Sequence, residues 1–283
     1  MGHVYTDRVR VRHHELDPLG RVTPATHLRW LAQVAIDASA DAGFDAAWYA
    51  RAGAHWLVRR TTFAVHREVG AGDRLAISTW VEDFRRVRSL RRYESRTEAG
   101  AAVLDAATDW VFVDVASGRP RRVPHEIEAG LAARAGAPAP PRRAWSAPPP
   151  PVAPGCTSYA VRWADLDALG HVNNAAYLDL CQQGTLDVLG AHGWPLARLV
   201  AEGGVPAVAA GDLEYLDAAL PGDVLEVRTW FTPAADALTA HHHLVRAADR
   251  RLIVQANVAW RWPATAGAPP APLAEALHPL RAA

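Results

Sequence analysis

Residues 161–178 read VRWADLDALGHVNNAAYL, and residues 11–28 read VRHHELDPLGRVTPATHL. Nine of these 18 aligned positions are identical without a gap. The same offset of 150 residues continues downstream, where it pairs Gly72-Asp73 with Gly222-Asp223 and Trp110 with Trp260. One register over so long a stretch indicates two copies of one domain, and not a solenoid, whose repeats span about 20 to 50 residues.

The composition is that of a globular protein with an ample core. The chain has 283 residues, half of them apolar and 21% charged. No apolar run approaches the roughly 18 residues that a membrane span needs, and the N-terminus lacks the apolar stretch of a secretion signal. Two cysteines, Cys156 and Cys181, are too few for a disulfide framework. We therefore expect a cytoplasmic protein.

The zero net charge hides an asymmetry between the halves. Residues 1–150 carry 22 Arg against 17 Asp and Glu, net +5, and residues 151–283 carry 8 against 13, net −5. A Pro- and Ala-rich stretch between the copies is typical of an extended linker. The predicted organisation is an N-terminal repeat over 1–130, a linker over 131–156, a C-terminal repeat over 157–263 and a Pro/Ala-rich tail over 264–283.

Each copy shows the same order of elements. A helix is predicted to begin at Thr23-Pro24 and at Asn173-Asn174, because Thr and Asn cap helices and Pro suits the first helical position. Several β-type runs follow in each copy. One helix followed by about four antiparallel strands predicts an α+β unit with the helix packed on the sheet. We expect the two units to pair, because each sheet would otherwise expose an edge and a face.

The loop before the second helix places polar side chains next to a helix N-terminus. Asp167, His171, Asn173 and Asn174 lie where free N–H groups and the helix dipole favour developing negative charge. An oxyanion in acyl transfer needs such a setting, and Asp167 or His171 could supply the base or nucleophile. The alternative is structural: Asn173 only caps the helix, Asp167 forms a turn, and His171 is an ordinary loop histidine.

The motif Asp-x-Asp-x-x-Gly-His-Val-Asn-Asn-x-x-Tyr at 165–177 resembles the signature of hotdog-fold thioesterases. The whole double arrangement is similar to tandem hotdog acyl-ACP thioesterases, and Leu213-Glu214-Tyr215 resembles a strand of that family. The resemblance implies two hotdog domains in tandem, each a long helix wrapped by an antiparallel sheet, paired as an intramolecular dimer. It also implies that the C-terminal repeat is catalytic, through Asp167, His171 and Glu214.

One position departs from that family. Its Asn between the Asp and the His is Leu169 here, and Asn173 is the amide that remains in the loop. The resemblance further implies that Asn174 and Tyr177 bind substrate.

The first repeat is similar to 4-hydroxybenzoyl-CoA thioesterase-like enzymes, through Glu15-Leu16-Asp17-Pro18 and the helix that follows. Asp17 falls on the catalytic carboxylate of that family and is a second candidate site. The offset pairs Arg21 with His171, Pro24 with Asn174 and Ala64 with Glu214, so this copy has lost three of the polar positions that the second keeps. We interpret the first repeat as mainly substrate-binding and the second as catalytic.

Six arginines lie on a predicted strand-turn-strand: Arg85, Arg86, Arg88, Arg91, Arg92 and Arg96. They are either a solvated edge or an anchor for the phosphates of coenzyme A or for an acidic acyl carrier protein. The consecutive His241, His242 and His243 point to alternate faces of a strand and cannot converge on one metal, so we interpret them as surface or packing residues.

The function that these patterns predict is hydrolysis of an acyl thioester, acyl-ACP or acyl-CoA, to a carboxylic acid and a free thiol. No metal or redox cofactor is implied, and neither a nucleic acid nor a membrane is an expected partner. The alternatives are a hotdog hydratase or dehydratase and a non-catalytic acyl-thioester binding module. The sequence leaves open whether Asp167 is nucleophile or base, and whether the chains form homo-oligomers.

Overall fold

The computed structural model describes residues 3–131, 144–202, 204–233, 237–262 and 270–282. The chain divides into two compact units, Met1–Arg143 and Ala144–Ala283. The division falls inside the stretch predicted as a linker. Among the described residues, no helix has the length and apolarity that crossing a membrane requires.

The first unit is a five-stranded antiparallel sheet with one long helix. Its elements are β1 (Val4–Arg10), α1 (Pro24–Asp41), α2 (Ala46–Ala52), β2 (Ala54–Val65), β3 (Arg74–Arg85), β4 (Arg88–Thr97), β5 (Ala102–Asp114) and α3 (His125–Gly130). The strand order is β1-β3-β4-β5-β2. Burial alternates along β3, which is the signature of a strand with one face on the core.

The second unit repeats this plan. Its elements are β6 (Gly155–Ala160), α4 (Asn174–Ala191), α5 (Leu196–Ala201), β7 (Ala207–Tyr215), β8 (Val224–Pro233), β9 (Ala237–Arg246), β10 (Leu252–Arg261) and α6 (Ala271–Ala276). The order β6-β8-β9-β10-β7 matches that of the first unit strand for strand. Each unit is thus a hotdog domain, and the prediction of two α+β hotdog units in tandem is confirmed.

Both predicted helix starts are confirmed. Thr23 caps α1 by accepting from the Thr26 N–H at 3.1 Å, with Pro24 at the first position. Asn173 caps α4 by accepting from the Ala175 N–H at 2.9 Å. Midway along α4, a Cβ on Gly184 would lie 2.8 Å from a methyl of Val227, so glycine lets this helix lie directly on β8.

The ends of the units differ from the sequence-based boundaries. Leu131 belongs to the core of the first unit, together with Phe44, Phe112 and Ile127. In the predicted tail, Leu273, Leu277 and Leu280 are buried. The backbone of Arg281 forms an isolated β-bridge with that of Phe231 in β8. The proline-rich composition around these six-residue segments gave no reason to expect α3 or α6.

The two cysteines lie in opposite environments within the second unit. Cys156 is exposed on β6, whereas Cys181 is fully buried on α4. Burial raises the pKa of the Cys181 thiol well above its usual range.

Candidate functional site

A tight turn shapes the loop before α4. The Asp167 N–H donates to the His171 carbonyl at 3.0 Å, and the Gly170 N–H donates to the Asp167 carbonyl at 3.0 Å. Gly170 has φ +79°, a conformation that favours glycine. The turn therefore holds Asp167 and His171 side by side.

The two side chains of this turn remain partly open to solvent. Asp167 Oδ1 lies 3.7 Å from His171 Nδ1, and the side chains are 22% and 20% exposed. The Leu169 N–H donates to Asp167 Oδ1 at 2.9 Å. In the described chain the Oδ2 atom accepts no hydrogen bond, so one carboxylate oxygen is available to an incoming group.

Asn173 and Asp165 fix the loop to the helix. The Asn173 side chain is occupied as the N-cap, and its N–H donates to the Asp165 carbonyl at 2.8 Å. Asp165 is buried and pairs with Arg162 at 2.7 Å. The first N–H groups of a helix, here including that of Asn174, have no partner within the helix. The loop thus sets a carboxylate and an imidazole next to the positive end of α4.

Tyr177 is a packing residue in this structure. It is 2% exposed, its hydroxyl accepts from the Ala219 N–H at 3.0 Å, and its ring lies 6.0 Å from that of Tyr215. Burial raises the pKa of Tyr177 to about 12. The side chain is thus enclosed by the protein, and its role in substrate binding stays a prediction.

Glu214 lies on β7 beside the helix start. Its carboxylate accepts from the side-chain amide of Gln255 on β10. The next residue, Tyr215, donates from its hydroxyl to the Asn174 carbonyl at 3.3 Å. Because successive strand residues face opposite sides, Glu214 is on the other face of β7 from that contact.

The equivalent loop of the first unit has the same backbone but a different charge balance. Asp17 Oδ1 accepts from the N–H groups of Leu19 at 2.9 Å and Arg21 at 3.0 Å. Its Oδ2 accepts from Arg21 Nε at 2.9 Å. The guanidinium of Arg21 is bound to Asp17 Oδ2, whereas the equivalent oxygen of Asp167 is open. The replacement of Arg21 by His171 therefore makes the second carboxylate available where the first is not.

Most of the arginine cluster is neutralised within the first unit. Arg85 pairs with Asp83 at 2.9 Å, Arg92 with Glu82 at 3.6 Å and Arg96 with Glu94 at 3.2 Å. Arg88 is hydrogen-bonded to Asp109, which is buried. Arg86 is exposed at the β3–β4 turn with φ +37°. Only the tip of the hairpin therefore resembles an open anion anchor.

The sequence reasoning placed Arg91 among these surface charges, but the structure buries it at 6% exposure. The period-two pattern of Arg91, Tyr93 and Ser95, which share one face of β4, is the signal that could have shown this.

The histidine run is a packing feature, and two of its three members are buried. His242 contacts the hydroxyls of Thr229 at 3.0 Å and Thr185 at 3.4 Å. His241 contacts Thr232 at 2.9 Å and Asn257 at 2.7 Å. Across the ranges that the structure describes, no three His, Cys, Asp or Glu side chains converge as metal ligands.

Two family models match the chain, one on each unit. Residues 2–131 match the acyl-ACP thioesterase N-terminal domain, and residues 161–277 match the thioesterase-like superfamily. None of the curated proteins compared with the chain matches it significantly.

Solved structures match nearly the whole chain. A Lactobacillus plantarum protein assigned as an oleoyl thioesterase is 20% identical with a TM-score of 0.78, covering 92% of this chain and 97% of its own. The 12:0-ACP thioesterase of Umbellularia californica is 17% identical with a TM-score of 0.75, covering 93% and 99%. An acyl-ACP thioesterase of Bacteroides thetaiotaomicron is 16% identical with a TM-score of 0.72, covering 91% and 98%.

The fold and the matched domains together define a tandem hotdog thioesterase. The N-terminal unit is of the acyl-ACP thioesterase type, and the C-terminal unit is of the wider thioesterase-like superfamily. The protein is a thioester hydrolase.

Proposed function

We propose that the C-terminal unit carries the hydrolytic centre and that Asp167 is its essential carboxylate. The observation that carries this proposal is the open Oδ2 of Asp167, set against the ion-paired Oδ2 of Asp17. A carboxylate that is held by a guanidinium is a poorer base and nucleophile than one beside an imidazole.

The chemistry follows from the position of the loop. The substrate carbonyl binds at the N-terminus of α4, where the Asn174 N–H and the helix dipole stabilise the negative charge that develops on its oxygen. Asp167 either activates a water molecule that adds to the carbonyl carbon, or adds itself to give an anhydride that water then cleaves. In both routes the C–S bond breaks, water supplies the oxygen of the acid, and the sulfur leaves as a thiol.

His171 and Glu214 complete the proposal. His171, 3.7 Å from Asp167, is placed to move the proton between water and the departing sulfur. Glu214 is the second candidate proton acceptor on its resemblance to the Glu of tandem hotdog thioesterases, although it lies on the face of β7 opposite to the contact of Tyr215 with α4. We propose that Asn173 acts through its cap and Asn174 through its N–H group.

Thiol release from a panel of acyl-ACP and acyl-CoA substrates tests the reaction. We expect free thiol and free acid in equal amounts. Saturable binding of the panel without thiol release would indicate a binding module instead, and hydration of an enoyl thioester would indicate the hydratase alternative. We propose that this reaction takes place in the cytoplasm.

The carrier is proposed to dock at the tip of the β3–β4 hairpin. Replacing Arg85 and Arg86 together with Ala should raise KM for the carrier substrate several-fold and leave kcat nearly unchanged, because binding common to ground and transition states is lost. The KM ratio between variant and wild type should shrink as salt rises, since exposed charges are screened over about 8 to 10 Å at physiological salt. Steady-state kinetics at two salt concentrations measure both effects.

The control is an N-acetylcysteamine thioester, which has no nucleotide or carrier protein and should not respond to the substitutions. Equal losses with both substrates would assign the arginines a structural role. Arg88 is left intact in this test, because its removal would leave the buried Asp109 without the guanidinium that it contacts.

A further inference from the structure

Strand β4 carries an arginine into the interior of the first unit. Arg91, Tyr93 and Ser95 are 6%, 2% and 1% exposed and lie on the buried face of the sheet. Across the ladder, Arg91 is opposite Val81 of β3 and Thr108 of β5, both buried. The guanidinium therefore lies among core residues.

No carboxylate of the described residues pairs with this guanidinium. Within the described chain its hydrogen bond is from Nη1 to Thr79 Oγ1 at 3.4 Å, while its neighbours Arg88, Arg92 and Arg96 all contact carboxylates. Burial lowers the pKa of Arg91, but a guanidinium keeps its charge in proteins. Buried charges are normally paired or bound to a ligand. Arg91 departs from this rule, because most of its donors lack an acceptor among the described residues.

Three buried polar atoms on the same face of the sheet as Arg91 also lack partners among the described residues. The Tyr93 hydroxyl, Ser95 Oγ and Trp110 Nε1 have no hydrogen bond to the described residues. Burial raises the pKa of Tyr93, and the nearby Trp110 and Thr108 side chains counter that rise. Neither of them has the geometry of a hydrogen bond to the Tyr93 hydroxyl. Guanidinium and indole groups only donate, and hydroxyls can donate. These four side chains therefore offer mainly hydrogen-bond donors, and a ligand with more than one acceptor oxygen would satisfy them.

The second unit shows that the fold does not require this polarity. The strand pairings place Ala240 at the position of Arg91, between Phe231 and Val258. Tyr93 corresponds to the buried His242, but four other polar residues of the first unit have apolar counterparts: Ser39, Tyr49, Ser95 and Thr108 correspond to Leu189, Leu199, Leu244 and Val258. All four counterparts are buried. At the position of Arg91 the second unit thus has only a methyl group, and its buried His242 is hydrogen-bonded to Thr229 and Thr185. The equivalent indoles of Trp110 and Trp260 both lack a partner among the described residues, so the buried arginine is what distinguishes the first unit.

We propose that the interior of the first unit binds a carboxylate carried by the acyl group of the substrate. A planar guanidinium pairs with a carboxylate through two parallel hydrogen bonds, and the Tyr93 hydroxyl and Trp110 indole add further donors. The acyl group is the part of the substrate that leaves water, whereas the carrier stays in solvent. This inference rests on the proposed function and narrows its substrate to acyl thioesters with a distal carboxylate.

Pairs of thioesters with equal length test the proposal. The pairs are hexanoyl-CoA with adipoyl-CoA, octanoyl-CoA with suberoyl-CoA, and decanoyl-CoA with sebacoyl-CoA. The wild type should have the higher kcat/KM for the carboxylated member of at least one pair. Arg91→Met should lower that ratio about 10- to 100-fold, the usual worth of a charged hydrogen bond.

The matched control is Arg92→Met, which removes the neighbouring charge from the opposite face of β4 and should leave the ratio unchanged. If Arg91→Met does not fold, Arg91→Lys keeps the charge but removes the planar fork, and it should lower the same ratio. A wild type that prefers the plain acyl chain in every pair would overturn the proposal. So would variants that lose both members of a pair equally.

A binding measurement separates this proposal from the reaction. If no thioester is cleaved, the proposed function fails, and free adipate, suberate and sebacate then test the site alone. A rise in the Tm of the wild type that is lost in the Arg91 variants would support the carboxylate site. No shift with any of the three diacids would overturn it.

Discussion

Replacing Asp167 with Asn is expected to lower kcat by about 100- to 10,000-fold, the range for removing a general base or nucleophile, with little change in KM. Asparagine keeps the size of the side chain and can still accept from the Leu169 N–H, so the turn before α4 should persist. The loss therefore reports the charge and basicity of the carboxylate. Initial rates of thiol release across substrate concentration measure it.

Two variants in the equivalent loops control this result. Asp17→Asn should retain kcat, because the guanidinium of Arg21 already neutralises Asp17. His171→Arg introduces into the second loop the residue found at the equivalent position of the first. The new guanidinium should pair with Asp167 and lower kcat although the carboxylate is still present. Near-normal turnover of Asp167→Asn together with an inactive Asp17→Asn would place the reaction centre in the first repeat.

Acid is expected to destabilise the protein well above the pH at which carboxylates titrate. Burial lowers the pKa of His27 to about 4 and that of His242 to about 3, and the charges of His241 and His243 add to the effect on His242. Both histidines are neutral in the folded protein and take up protons in the unfolded chain below about pH 6.5. The stability that they contribute is complete above that pH and is lost as the pH falls toward 4.

Linkage sets the size of this loss. Each histidine costs about 1.4 kcal/mol per pH unit, so both together should reduce the free energy of unfolding by about 5 kcal/mol between pH 6.5 and 4.5. Urea unfolding at several pH values measures the slope. His27→Gln combined with His242→Gln should flatten it, and an unchanged slope in the double variant would show that other groups cause the acid sensitivity.

The repeat made the fold predictable from the sequence. Nine identities in the 18 residues before and into the helices fixed two copies of one unit, and the caps Thr23 and Asn173 fixed where the long helices begin. The β-hairpins followed from their composition. The short helices α2 and α5 were not predicted, because six or seven residues show too little periodicity to be distinguished from loops.

The site was only partly predictable. The sequence placed Asp167 beside His171, but it could not show that the guanidinium of Arg21 occupies Asp17, because that depends on side-chain geometry within the turn. The constant offset also pairs Arg91 with His241, whereas the strand pairings match Arg91 to Ala240. The hairpin of β8 and β9 has one residue fewer between paired positions (Phe231 and Ala240) than the hairpin of β3 and β4 has (Val81 and Arg91). A shift of one residue in a strand exchanges its faces, so the constant offset fails in β9.

The contrast between the two cysteines gives the second hotdog unit a signal of its own. The units have the same elements in the same order, so circular dichroism cannot tell which of them opens first. Thiol reagents can, since the first unit contains no cysteine and the second hides Cys181 inside its long helix. Once the exposed Cys156 is alkylated or replaced with Ser, the rate at which a thiol reagent labels Cys181 measures the opening of the second unit alone.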